Sequence, residues 1–153
     1  MKTLLDSFRT RAPYTDAAAL ILRLSLGGMM ALHGFGKVAV VGLDVVGEDM
    51  VAHGFPYWGA HASTVVEIVA GLMLFVGWQT RLAALALLPV CVGILAYHLP
   101  MGWVFHEPGG GWEYPQLILE VTVAVLLLGG GRYSLDGRGG ERAAVFGQTR
   151  TGR

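Results

Sequence analysis

Arg23, His33, Lys37, Glu67, His98 and Glu120 are ionisable yet lie inside long apolar stretches of this 153-residue chain. Burying such groups in a lipid-like setting is costly, so each marks a function or an obligatory partner. His33 and His98 can exchange a proton near neutral pH, and a carboxylate can do the same. His33, His98 and Glu120 are therefore the candidate catalytic set. Lys37, Glu113 and Gln116 form a candidate binding set: Lys37 raises the local positive potential, and Glu113 offers a route to water. A long lysine near a span end can also simply reach for water. Arg23 and Glu67 are the cation and carboxylate closest in expected depth. They are read as a structural ion pair between the first two spans, because pairing is the usual answer to burial.

Spacing gathers these residues onto faces. Arg23, Gly27, Met30, Gly34 and Lys37 follow 4-3-4-3 steps and share one helix face. Ser63, Glu67 and Gly71 repeat every fourth residue; Cys91 and His98 are seven apart; Glu113, Gln116 and Glu120 share a face. His33, Lys37, His61, His98, Glu113, Gln116 and Glu120 all belong to the same half of the expected bundle. That half should hold an outward-facing polar pocket walled by apolar helices. Its plain role is an interhelical hydrogen-bond network. Its sharper role is to bind an amphipathic molecule.

A quinone or quinol suits such a pocket, since its ring oxygens need protons and hydrogen bonds and its tail needs lipid. The chain has no nucleotide fingerprint, CxxC or CxxCH, and one cysteine, Cys91, cannot run a dithiol cycle. Electrons must then come from a partner subunit or a bound cofactor. Haem b between His33 or His61 and His98 is a second use of the same residues. A copper or zinc site from His33, His98 and Glu113 is a third, without an HExxH motif behind it and not the expectation here. A small transporter coupled through Glu67 is the fourth, although four short helices leave little room for alternating access.

The elements that must position these residues follow from composition. The chain is 54% hydrophobic and 14% charged, with equal numbers of acidic and basic residues. A soluble domain is about a quarter charged. Disorder is excluded by the hydrophobicity, and nucleic-acid binding is disfavoured by the zero net charge. Apolar stretches at about 17–39, 58–77, 80–99 and 114–130 are near the roughly 20 residues a membrane helix needs. They lack the polar face of soluble helices, and the first lacks the cleavage signal of a leader. The expected fold is an all-α, four-transmembrane-helix bundle over residues 1–136, followed by a flexible cytoplasmic tail, 137–153. Lys2, Arg9, Arg11, Arg81 and Arg132 flank one side, whereas the two long loops expected on the other side, 40–57 and 100–113, contain no Lys or Arg. The positive-inside rule places both termini in the cytoplasm. Gly27, Ala31, Gly34, Ala70 and Gly71 would let the first two spans approach closely.

The order R-x9-HGFGK (Arg23 to Lys37), E-x3-G-x5-GWQTR (Glu67 to Arg81), GGGWEYP and GGGRYSLD (Gly129 to Asp136) resembles the DoxX family of bacterial four-helix membrane proteins, over about residues 17–136. The resemblance implies a multi-pass protein of the bacterial inner membrane. It also implies a link to quinol oxidation, thiosulfate:quinone oxidoreduction or redox-stress handling. Its matching positions are Arg23, His33, Gly34, Lys37, Glu67, Gly71, His98, Glu113, Arg132 and Asp136. Some members are read as anchors or organisers of partner proteins. The expected partners are thus lipid, quinone and a redox protein or a further copy of the chain, with a non-catalytic anchor as the alternative to a redox component.

Overall fold

A computed structural model describes residues 12–104, 106 and 109–137. The described residues form helices and turns, with no strand. Five α-helices follow in order: α1 (Ala12–Gly36), α2 (Leu43–Ala52), α3 (Trp58–Val76), α4 (Thr80–His98) and α5 (Glu113–Leu128). A π-helical turn, Lys37–Val41, extends α1, and a 3-10 turn, Leu99–Met101, extends α4. The expected tail beyond Gly137 lies outside the described residues.

The four longer helices form a closed ring: α1 packs on α3, α3 on α4, α4 on α5, and α5 returns to α1. One end of the ring, the wide end, carries the connections 37–57 and 99–112. The other, the tight end, carries the short α3–α4 turn and the segment after α5. Leu26, Met30, Leu74, Leu87 and Val125 fill the middle and are almost fully buried. Ile21, Val65, Leu85 and Leu127 point outward and are exposed. Large apolar side chains on the outside invert the pattern of a soluble bundle.

Three helical stretches are long and apolar enough to cross a membrane: Tyr14–Val41, Trp58–Val76 and Thr80–Met101. They coincide with the first three expected spans. The stretch expected as a fourth span, 114–130, holds the 16-residue α5, about 24 Å long and shorter than the other three. The Gly-rich run 129–131 stops it early, because Gly129 and Gly131 take positive φ values that break helical geometry. The loop expected at 40–57 contains α2, which packs against α3.

Close approach of α1 and α3 depends on missing side chains. A Cβ on Gly27 would lie 2.6 Å from the Gly71 carbonyl oxygen, and one on Gly71 would lie 2.7 Å from the Ala31 amide. Backbones this close give strong dispersion contact and fix the register of the pair. The two helices run antiparallel, with Gly27 against Gly71 and Gly34 against Thr64, Glu67 and Ile68.

Candidate functional site

That register decides which cation meets Glu67. Glu67 lies on the buried face of α3 with Ala60, Thr64, Gly71 and Leu74, and is 0% exposed. It sits opposite the last turn of α1. Lys37, the first residue of the π-helical turn, extends its amine back to Glu67 Oε1 at 2.7 Å. The same amine approaches Ser63 Oγ at 3.5 Å. Lys37 is mostly buried itself, so the bond is a charge-assisted one in a low-dielectric setting. Among the described residues, Glu67 Oε2 and the Thr64 hydroxyl, both buried, have no hydrogen-bond partner.

The expected Arg23–Glu67 pair is therefore not formed. Arg23 is buried as expected, but it serves the tight end. Its guanidinium donates to the carbonyls of Leu74 at 3.2 Å and Phe75 at 2.6 Å, and to that of Tyr133 at 2.5 Å. The physical reason is axial distance. Leu74 is seven residues past Glu67, about 10 Å along the axis, and Arg23 faces that last turn. A helix end leaves four carbonyls unsatisfied, and a planar, always-charged fork is well suited to them.

His33 stands at the edge of the α1 face. It is exposed at the bundle surface yet within electrostatic reach of Glu67, Lys37 and His98. His98, half-buried near the end of α4, has Nδ1 2.7 Å from the Ile94 carbonyl oxygen. If Nδ1 holds the proton to donate there, Nε2 is the acceptor of that ring. The structure thus joins Lys37, Glu67 and Ser63, with Thr64 beside them, and sets His33 within electrostatic reach of Lys37, Glu67 and His98. Expected depth assigns Glu67 to a frame with Arg23; the structure pairs it with Lys37 instead.

Glu120, Gln116 and Glu113 do not line this interior. The inward face of α5 carries Pro115, Ile118, Thr122 and Val125. Glu120 is on the opposite side and exposed, with Gln116 Nε2 donating to its Oε1 at 2.7 Å. Helical spacing sets Glu113, Gln116 and Glu120 on one face, but it cannot say whether a face turns inward. Among the described residues, no group of three or more His, Cys, Asp or Glu side chains is arranged to hold a metal ion. His33, His98 and Glu113 are accordingly not assembled as a metal site.

Cys91 is buried and lies 3.4 Å from the Thr122 hydroxyl, which in turn donates to Ile118 O. This links α4 to α5. At the rim of the wide end, Tyr57 donates to Asp44 and Tyr97 to Asp49, each at 2.7 Å, tying α2 to α3 and α4. The hydrogen bond to Asp44 is the main reason the Tyr57 hydroxyl titrates above the usual phenol range. The ring of His53 stacks near Tyr97 at 4.4 Å. The loop expectation missed these clamps, although the acidic residues and flanking tyrosines were visible.

The tight end is a knot of satisfied groups. Asp136 accepts from the Gln79 amide at 2.8 Å, the Thr80 amide at 2.9 Å and the Thr80 hydroxyl at 2.8 Å. It thereby caps the start of α4 from a distant part of the chain. Burial alone pushes its carboxyl up, but the donations from Thr80 and Gln79, with the Arg23 charge nearby, outweigh this and hold it below the usual carboxylate range. Gly77, with φ 72°, closes α3; a side chain there would strike Ser134 and Arg23. A cleft of about 520 Å³ opens here between Asp16, Arg81, Arg132 and Asp136. Its two carboxylates already hold amides: Asp16 accepts from Arg132, and Asp136 from Gln79 and Thr80. It lies away from Glu67.

A family model described as DoxX matches residues 18–107. The chain belongs to the DoxX family. The matched region contains Arg23, the HGFGK motif, Glu67, GWQTR and His98, so the polar cluster lies wholly inside it. The GGGRYSLD motif lies beyond it. No curated protein and no solved structure matches the chain. Family membership and three membrane-length apolar helices make this a multi-pass membrane protein.

Proposed function

We propose that this DoxX-family protein is a redox component of the bacterial inner membrane that binds a quinone or quinol at the His33–Lys37–Glu67–His98 cluster. In this reading α5 is the fourth span and both termini are cytoplasmic, as the Lys and Arg distribution favours. The wide end then faces outward. A partner protein supplies or removes the electrons, since the chain has no redox motif of its own.

One observation carries the reading: a fully buried carboxylate with one oxygen on Lys37 and the other without a partner among the described residues. An unpartnered buried acceptor costs about 1–3 kcal/mol. A ligand hydroxyl could remove that cost by donating to Glu67 Oε2. The Thr64 hydroxyl can donate to a ring carbonyl or accept from a ring hydroxyl. When bound, the quinone/quinol couple would supply two-electron, two-proton chemistry. The protein's share is to orient the ring, hold Lys37 against Glu67, and hold or move a proton at His33 and His98.

The test is mass spectrometry of a solvent extract of the protein purified from its native membrane in mild detergent. Stoichiometric quinone, lost in Glu67→Gln and in His33→Ala but kept in Glu120→Gln, is the expected result. An extract without quinone, from a folded protein, overturns the proposal. Haem in its place would transfer His33 and His98 to the haem reading.

A further inference from the structure

The exposed face of α5 is inconsistent with lipid as its only neighbour. Glu113–Leu128 has its midpoint at Glu120 and Val121. If α5 crosses the membrane, as the proposed four-span topology on which this inference rests requires, Glu120 lies at the depth where an ionisable group is most costly. Yet Glu120 is exposed, on the side opposite Pro115, Ile118, Thr122 and Val125. The Gln116 amide meets one carboxyl oxygen. A carboxyl has two oxygens, and an amide has a second N–H and an oxygen of its own. This polar pair therefore has more hydrogen-bonding capacity than its single internal bond uses.

The same face has a repeat. Glu113, Gln116, Glu120, Val123 and Leu127 follow 3-4-3-4 steps. This is the seam spacing by which one helix packs along another. The inward face uses the same steps, at Pro115, Ile118, Thr122 and Val125, and there it packs on the neighbouring helices. α5 thus carries two packing seams, of which the bundle covers one. Leu127 at 71% exposed and Val123 at 39% continue the outer seam below the polar pair.

We propose that this outer seam of α5 is the contact surface for a second copy of the chain. The pair Gln116–Glu120 is self-complementary: each chain offers an amide donor and a carboxyl acceptor, separated by one helical turn. All copies enter the membrane in the same orientation, so a two-fold axis along the membrane normal sets Gln116 and Glu120 beside the same residues of the other copy at the same depth. The second N–H of each Gln116 then donates to the opposite Glu120, as an isologous interface requires. Val123 and Leu127 pack against their counterparts along the rest of the seam.

The experiment uses the full chain in its native membrane, in a Cys91→Ser background. Leu127→Cys and Val123→Cys place a thiol on the seam; Val69→Cys and Leu85→Cys place one on exposed faces of α3 and α4. Mild oxidation should give a disulfide dimer of twice the chain mass from the α5 positions only. Glu120→Leu should lower the dimer yield about tenfold, whereas Glu120→Gln, which keeps the hydrogen bonds, should retain most of it. The leucine variant removes a polar group from an exposed face, so it should still fold. Its elution and thermal unfolding check this. Absence of a dimer from both α5 positions overturns the interface, as does cross-linking to a different protein. A water-soluble maleimide separates the two failures. If Val123→Cys is shielded but does not dimerise, the interface alone fails. If it labels readily, the four-span reading fails and the interface falls with it.

Discussion

The two ends of the bundle treat charge in opposite ways. At the tight end, Arg23 and Asp136 are spread over backbone groups: Arg23 donates to three carbonyls, and Asp136 accepts from two amides and a hydroxyl. At the wide end, Lys37 and Glu67 are spent on each other. Thr64 and one Glu67 oxygen have no partner among the described residues. A network that closes on the backbone holds helix ends in place and has little left for a ligand. A network left partly open keeps hydrogen-bonding capacity in a dry place, which is what recognition of a polar ring needs. Of the guanidinium nitrogens of Arg23, only Nε stays without a partner among the described residues, a minor exception to the closed end.

This contrast can be broken most strongly at Arg23. Arg23→Met should destabilise the folded protein by about 3 kcal/mol, because buried carbonyls lose a charged donor. Arg23→Lys should recover less than half of this, since an ammonium cannot fork between the end of α3 and the turn after α5. Denaturation in mixed micelles reads both. Equal stability of Arg23→Met and the parent would mean that the tight end is not a clamp.

Asp136→Ala should cost about 2 kcal/mol, in the upper range for losing a helix cap. The same carboxylate makes stability depend on pH. Its folded pKa lies below its unfolded value, which is near 3.9. Its contribution is thus fully present above that value and is lost as pH falls through the lower, folded pKa. Thermal unfolding between about pH 6 and pH 3 should show a steeper acid decline in the parent than in Asp136→Asn. Parallel curves would remove Asp136 from this role.

At the wide end the effects on stability should be smaller and of a different kind. Lys37→Met leaves Glu67 buried without its cation. It should cost about 1–2 kcal/mol, the penalty of a buried acceptor left without its donor. Adding Glu67→Gln to Lys37→Met should restore part of that loss, and a double-mutant cycle measures the coupling. Glu67→Gln alone should change stability least, by about 1 kcal/mol, since the Lys37 amine lies near the end of the bundle and can turn to water. It should nevertheless abolish quinone retention. Stability that tracks ligand loss across these variants would erase the distinction between the two ends.

Much of the site was legible because helical periodicity is local. Arg23, Gly27, Met30, Gly34 and Lys37 do line the contact side of α1, and Ala60, Thr64, Glu67 and Gly71 that of α3. The partner of Glu67 was not legible from depth estimates. It required the register of α1 against α3, which brings together Lys37 and Glu67, 30 residues apart in sequence, although Arg23 lies only about four turns before Lys37. The close-packed glycines held the missing signal. With Gly27 set against Gly71 in antiparallel helices, residue 23 falls beside residue 75, and Glu67 falls near the end of α1.

The sequence by itself determined that this chain enters a membrane as helices, where three of them run, and which residues share each face. Apolar length and a 3.6-residue period are enough for that. Only the tertiary structure decided which faces meet. It paired Lys37 with Glu67, spent Arg23 on the end of α3, tied Asp136 to the start of α4, and turned Glu120 away from the interior. Each of these depends on the rotation and axial offset of one helix against another, which small residues and connections set together and no single stretch encodes.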